Sequence, residues 1–140
     1  MINDALTLEI FEALMAQDTI NPPGNEMRGA LCLKEIFDRE GIPCEVQDLG
    51  HNRANFIACF GEGEKTLEYS GHLDTVPCVG DWKHTAIGTT EEGDLIYGRG
   101  ACDMKGGVAA MCSAAIALYR DKTPLNGKIR LTFVADEEDA

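Results

Sequence analysis

Lys128-Ile129-Arg130-Leu131-Thr132-Phe133-Val134-Ala135 opens with strict alternation of polar and apolar side chains and ends in a β-branched and aromatic run, so it is expected to be a strand. Ile129, Leu131 and Phe133 share one face, while Lys128 and Arg130 share the other. Pro124 and the Asn126-Gly127 turn set it off from an alanine-rich segment, Met104 to about Arg120, that reads as a helix. That helix is apolar on most sides, which suits packing against a sheet.

Upstream, Asn3 or Asp4 can cap a helix to about Gln17, with Leu6, Ile10, Phe11 and Leu14 at helical spacing. Asn21-Pro22-Pro23-Gly24 is a break, and Asn25 is expected to cap a second helix carrying Ala30, Leu33 and Phe37 to Gly41. Strands are expected at Cys44 to Leu49, Asn55 to Phe60 and Thr66 to Ser70, the last two joined as a hairpin through Gly61-Glu62-Gly63-Glu64. From Gly71 to Arg99 the chain reads as loop, with a short strand at Leu95-Ile96-Tyr97. Helices and strands mixed in this order indicate an α/β fold with a mixed sheet. In such sheets ligands gather at the carboxyl edge. His72, Asp103 and the Asp136-Glu137-Glu138 segment all fall where that edge would gather them.

Composition narrows the partners. In 140 residues there are 12 basic and 24 acidic side chains, a net charge of −12 that repels phosphate backbones and anionic membranes. Nucleic acid and membrane partners are therefore not expected. Apolar residues at 44% suffice for a single buried core. Six cysteines show no C-x-x-C spacing, and Met1-Ile2-Asn3-Asp4 has neither the basic region nor the apolar run of a secretory signal. A cytoplasmic protein with reduced thiols is expected.

Three segments carry chemistry. In Gly71-His72-Leu73-Asp74-Thr75-Val76-Pro77, the imidazole can bind a metal through one nitrogen and donate its other N–H to the aspartate. A structural His–Asp hydrogen bond in a turn is the alternative. In Tyr97-Gly98-Arg99-Gly100-Ala101-Cys102-Asp103-Met104-Lys105-Gly106-Gly107, Asp103 stands at the expected helix start, where it can cap N–H groups or bridge two cations. The same glycines imitate a dinucleotide fingerprint, but Asp103 replaces its third glycine and would repel a pyrophosphate. Asp136-Glu137-Glu138-Asp139 is either a solvated charge run or a site in which one glutamate binds a metal and its neighbour takes a proton. Histidine and carboxylate donors without thiolate suit zinc, cobalt or manganese.

These segments, in this order, resemble the three successive motifs of the M20 metallopeptidase family, the group of acetylornithine deacetylase, succinyl-diaminopimelate desuccinylase, aminoacylase and carboxypeptidase G. The Asn21-Pro22-Pro23-Gly24 and Trp82 regions are similar in style. The resemblance implies a three-layer α/β sandwich of the zinc-exopeptidase type. It implies His72 on one metal, Asp103 bridging two, Glu138 on the second, Glu137 as general base and Asp74 orienting His72. It also implies a cis Asp103–Met104 peptide, two divalent ions (zinc first, cobalt or manganese otherwise) and N-acyl amino acids or short peptides as substrates. Cys102 is expected to pack, and His51 and His84 to lie on loops or the surface. Family members are longer and carry a lid and dimerisation domain plus a further acidic and a further histidine ligand, so the full-length protein is expected to be a homodimer. Residues 1–140 therefore correspond to the N-terminal part of the catalytic domain, without the lid, and are expected to be inactive alone. A non-catalytic metal-binding or interaction domain is the alternative.

Overall fold

The computed structural model describes residues 3–138. Its elements are α1 (Asp4–Met15), α2 (Glu26–Glu40), β1 (Cys44–Gly50), β2 (Arg53–Gly61), β3 (Thr66–His72), β4 (Thr90–Glu92), β5 (Leu95–Tyr97), α3 (Gly106–Arg120) and β6 (Lys128–Val134). Asn3 caps α1 as expected, its side-chain oxygen accepting the Ala5 N–H at 3.1 Å. Asn25 does not act as a side-chain cap: it adopts a left-handed φ of 67° and makes no such bond. The Asn52 carbonyl accepts the Met27 N–H at 2.9 Å in that first turn instead.

The main sheet runs β1-β2-β6-β3, with β6 antiparallel to β2 and parallel to β3. The expected β2–β3 hairpin is therefore corrected: β6 lies between them, and the hairpin is β1–β2. Burial explains the choice. Phe56 and Ala58 of β2 and Leu131 and Phe133 of β6 are buried, whereas Leu67 and Tyr69 of β3 are exposed. The most apolar strands take the centre, and a β2–β3 hairpin would push β6 to an edge. The four-residue link after Gly61 steps over the start of β6, where the Lys128 N–H donates to the Lys65 carbonyl at 2.8 Å. Gly61 (φ 92°) and Gly127 make this possible, since a Cβ on either would come 2.5 Å from a backbone oxygen. Parallel pairing of β3 with β6 needs a crossover, which α3 supplies.

Both α2 and α3 cover the same face of the sheet. Phe37 of α2 meets Phe56 with ring centroids 5.1 Å apart, and Phe56 stacks on Phe133 at 6.1 Å. Met111, Ala114, Ala115 and Leu118 of α3 line a groove with Leu67, Tyr69, Ile129 and Leu131 on that face. α1 packs against α3 and α2. On the other face Asn55, Ile57, Cys59, Arg130 and Thr132 are half-buried, with no helix against them among the described residues. The α/β class and mixed sheet are as expected. The segment Ala101–Arg120 is long and apolar enough to cross a membrane by length and composition alone. Here its α3 part packs on β3, β6 and α1.

α3 starts later than expected. Ala101–Lys105 form a separate turn in which Asp103 (φ −124°, ψ 98°) and Met104 (φ −132°, ψ 30°) are not helical. The Asp103–Met104 peptide is cis, as the resemblance implied, and so are Asn21–Pro22 and Pro22–Pro23. Between them, Thr90–Glu92 pairs with the expected Leu95–Tyr97 strand as a small separate hairpin.

The Phe37–Phe56–Phe133 stack is the centre of the core. Phe56→Ala should lower unfolding free energy by about 3–5 kcal/mol, read as a fall in the urea midpoint at unchanged slope.

Candidate metal centre

β3 and β6 run parallel and in register to their ends, His72 opposite Val134. The last residue of one strand and the loop following the other therefore emerge together at the carboxyl edge. His72 is only 6% exposed. Its main-chain N–H donates to the Met104 sulfur at 3.4 Å. Gly71 makes room for that side chain, because a Cβ there would stand 2.9 Å from the Met104 methyl.

His72 Nε2 lies 3.1 Å from Asp103 Oδ1 and 3.9 Å from Glu137 Oε2. One donor atom from each of His72, Asp103 and Glu138 falls within 4.8 Å of the other two. The three residues named as metal ligands from the sequence thus stand together, and Glu137 stands beside them. Asp103 is not a helix cap: its carboxylate is 77% exposed and turned towards His72. α3 begins only at Gly106, with Lys105 rather than Asp103 at its N-cap position.

The ring orientation shows what this cluster can hold. His72 Nδ1 is 3.0 Å from the main-chain oxygen of Asp74. A carbonyl only accepts, so Nδ1 carries the hydrogen, and in the neutral ring Nε2 presents a lone pair to Asp103. Two acceptors 3.1 Å apart repel unless a proton or a cation lies between them. Burial pushes the His72 imidazolium down, but the Asp74 carbonyl, Asp103, the Asp74 carboxylate and Glu137 together raise it above its ordinary value. Glu138 is likewise raised, first by desolvation and then by Asp103, Glu137 and Asp74. Crowded oxygen donors around one imidazole nitrogen fit a divalent cation.

Asp74 works differently from the expectation. Its carboxylate is 3.6 Å from His72 Nδ1, too far for a hydrogen bond, and the main-chain carbonyl takes that role. The carboxylate, fully buried, accepts the Glu138 N–H at 2.9 Å and the Asn21 amide at 2.8 Å through Oδ2. One residue therefore touches the His72 ring and the Glu138 backbone together.

Beneath the acidic loop lies a polar layer that the sequence reading missed. Arg53 reaches Asp136 at 2.6 Å, Glu26 at 3.1 Å and Asn21 at 2.7 Å. Asn21 also donates to Asp136 at 3.0 Å, and the Asp136 N–H donates to Glu26 at 3.3 Å. Glu26 is fully buried, and burial raises its carboxyl above the usual range. Lys105 was missed too. It is 3% exposed, and its ammonium donates to the Gln17 carbonyl at 2.7 Å, tying the Asp103 turn to the segment after α1.

Other expectations resolve simply. Cys102 is exposed rather than packed, and all six cysteines are free. His51 sits exposed in the β1–β2 turn, whereas His84 is half-buried against Tyr97 at 4.5 Å. The fingerprint-like glycines serve packing: Gly98 admits the Gly88 carbonyl and the Met15 methyl, and a Cβ on Gly100 would come 2.6 Å from the Thr75 methyl.

An α/β chain whose parallel strands deliver histidine and carboxylates to one edge has the architecture of a zinc-exopeptidase catalytic domain. The family model for peptidase family M20/M25/M40 matches residues 69–140, and the chain belongs to this family. A probable succinyl-diaminopimelate desuccinylase of Staphylococcus aureus (strain MRSA252) is 39% identical over 116 residues, covering 81% of this chain and 28% of that protein. The succinyl-diaminopimelate desuccinylase of Orientia tsutsugamushi (strain Ikeda) is 32% identical over 143 residues, 99% of this chain and 36% of its own length. Among solved structures, the M20 family metallo-carboxypeptidase Sso-CP2 from Sulfolobus solfataricus superposes with TM-score 0.79 at 28% identity, over 91% of this chain and 30% of that one. Human carnosine dipeptidase 1 shares the fold with TM-score 0.77 at 23% identity, over 94% of this chain and 32% of its own. The chain spans about a third of the length of the curated relatives it matches.

Burial pushes the Lys105 ammonium down to about 8 from its ordinary 10.5. Below the folded value both states are protonated and the desolvation cost is fully present; above 10.5 both are neutral and it is gone. Between the two, the unfolded state binds more protons, so stability rises with pH, by about 3 kcal/mol in all. Urea midpoints at about pH 7 and about pH 10 should show the wild type gaining stability relative to Lys105→Met, the buried Cys112 thiol opposing the rise in both.

Proposed function

We propose that this chain is the metal-holding N-terminal part of a hydrolase that cleaves amide bonds in N-acyl amino acids or short peptides. The observation that carries this reading is the meeting of His72, Asp103 and Glu138 donor atoms at one sheet edge with Glu137 beside them. His72 would hold one divalent ion, Asp103 would bridge two and Glu138 would hold the second. Zinc suits these donors first, with cobalt or manganese as alternatives. When bound, such ions lower the pKa of water and polarise a carbonyl.

The chain's own residues account for the rest. Asp74 fixes the His72 ring through its carbonyl and the Glu138 backbone through its carboxylate, keeping both donors on one side. Glu137, 57% exposed, has its carboxylate 3.9 Å from His72 Nε2 and open to solvent. It accepts the proton of the attacking water and returns it to the departing amine, so its carboxylate ends each cycle unchanged. The relatives named as desuccinylases and a metallo-carboxypeptidase support amide-type substrates that bear a carboxylate.

Residues 1–140 are assigned to the front of the catalytic domain. The lid and dimerisation domain and the remaining ligands are assigned to the other two-thirds of the length seen in relatives. The full-length protein is read as a cytoplasmic homodimer, and the isolated 140 residues as inactive. The acidic balance, net −12, supports small-molecule substrates rather than nucleic acid or membrane partners.

The full-length protein loaded with zinc or cobalt is assayed on N-succinyl and N-acetyl amino acids and on dipeptides. Glu137→Gln should lower kcat at least about 100-fold while metal content, measured by atomic emission, stays the same. Equal turnover by wild type and variant would sink the base role. Metal uptake without any turnover would favour a non-catalytic metal-binding domain.

A further inference from the structure

Asp136 is the second residue after β6, and it adopts a left-handed φ of 66°. That conformation is uncommon for a non-glycine residue, although aspartate adopts it more readily than most. Here three groups hold it. Arg53 and Asn21 grip its carboxylate at 2.6 and 3.0 Å, and Glu26 accepts its main-chain N–H at 3.3 Å. Glu137 and Glu138 follow directly, and the Glu138 N–H is tied to Asp74. Arg53 is the common member of this layer. It opens β2, spans Glu26, Asn21 and Asp136 with two guanidinium nitrogens, and touches neither glutamate of the doublet.

We infer that Arg53 is the positioning residue of the Glu137–Glu138 doublet: seated on the buried Glu26 carboxylate, it fixes Asp136 and so sets where both glutamates stand. This rests on the roles proposed above for Glu137 and Glu138. A lysine at this place brings one point charge and cannot span the three partners that the planar guanidinium reaches. Glu26 is the fixed end, enclosed in the interior, and Asp136 is the moving end, exposed at the surface. Through this chain of contacts a residue at the start of the second strand governs a loop at the end of the last one. Metal ligation and proton transfer both depend on that loop.

The test uses the full-length protein with Arg53→Met, Arg53→Lys and Asp136→Ala. Asp136→Ala cuts the same link from the loop side, leaves the Glu26–Arg53 pair intact, and serves if Arg53→Met does not fold. Two readouts are taken: amide hydrogen exchange of residues 136–138 in metal-free protein, and the dissociation constant for zinc ions by chelator competition. Arg53→Met and Asp136→Ala should each speed exchange at 136–138 about tenfold while Leu131 and Phe133 of β6 keep their protection. Zinc binding should weaken about 10–100-fold, with Arg53→Lys in between. Unchanged loop exchange and zinc binding in both variants would overturn the inference. So would equal acceleration in the loop and in β6, which would mean general loosening. A wild type that binds no zinc would defeat the metal reading, and loop exchange would then decide the clamp by itself.

Discussion

Insertion of β6 between β2 and β3 is the constraint on which the site depends. Had β6 run antiparallel to β3, His72 and the acidic loop would leave the sheet at opposite ends. With β6 beside β3 and parallel to it, His72 and Val134 face each other, and the chain leaves both strands at one edge. The apolar content of β6 favours this placement, since its Leu131 and Phe133 are buried there. Packing energy in the core thus fixes the meeting of the metal-type donors.

Charge shapes the site in the opposite sense. Among the described residues, no Lys or Arg forms an ion pair with Asp103, Glu137 or Glu138, and the basic group that faces them is the His72 ring. The nearest strong cation below the loop, Arg53, is occupied by Glu26 and Asp136. The outer carboxylates are therefore left in excess while the inner ones are matched. An excess of oxygen donors around one imidazole is unfavourable in an empty protein and favourable around a divalent ion.

The sequence was most legible where periodicity or residue type acts locally. The alternation of Ile129, Leu131 and Phe133 located β6 to within one residue, and alanine-rich helical patterning located α3 apart from its first turn. The three motif segments named His72, Asp103, Glu137 and Glu138, which the fold brings together. What stayed hidden depends on partners distant in the chain. The Gly61-Glu62-Gly63-Glu64 turn signal was real, but nothing local says that a later strand will slip between its two arms. Glu26 and Arg53 carried no signal, because a buried ion pair is defined by its surroundings and not by spacing. Asp103 looked like a cap because the extended backbone at 103 and 104 leaves no trace in residue type.

Asp74 joins the two levels. Its carbonyl orients the His72 ring, and its carboxylate holds the Glu138 N–H and the Asn21 amide, while Asn21 in turn contacts Arg53 and Asp136. Only Oδ1 lacks a hydrogen-bond partner, and it lies 3.6 Å from His72 Nδ1. The orientation of the imidazole and the position of the Glu138 backbone are therefore set by one fully buried residue, and the polar layer around Arg53 is joined to it through Asn21.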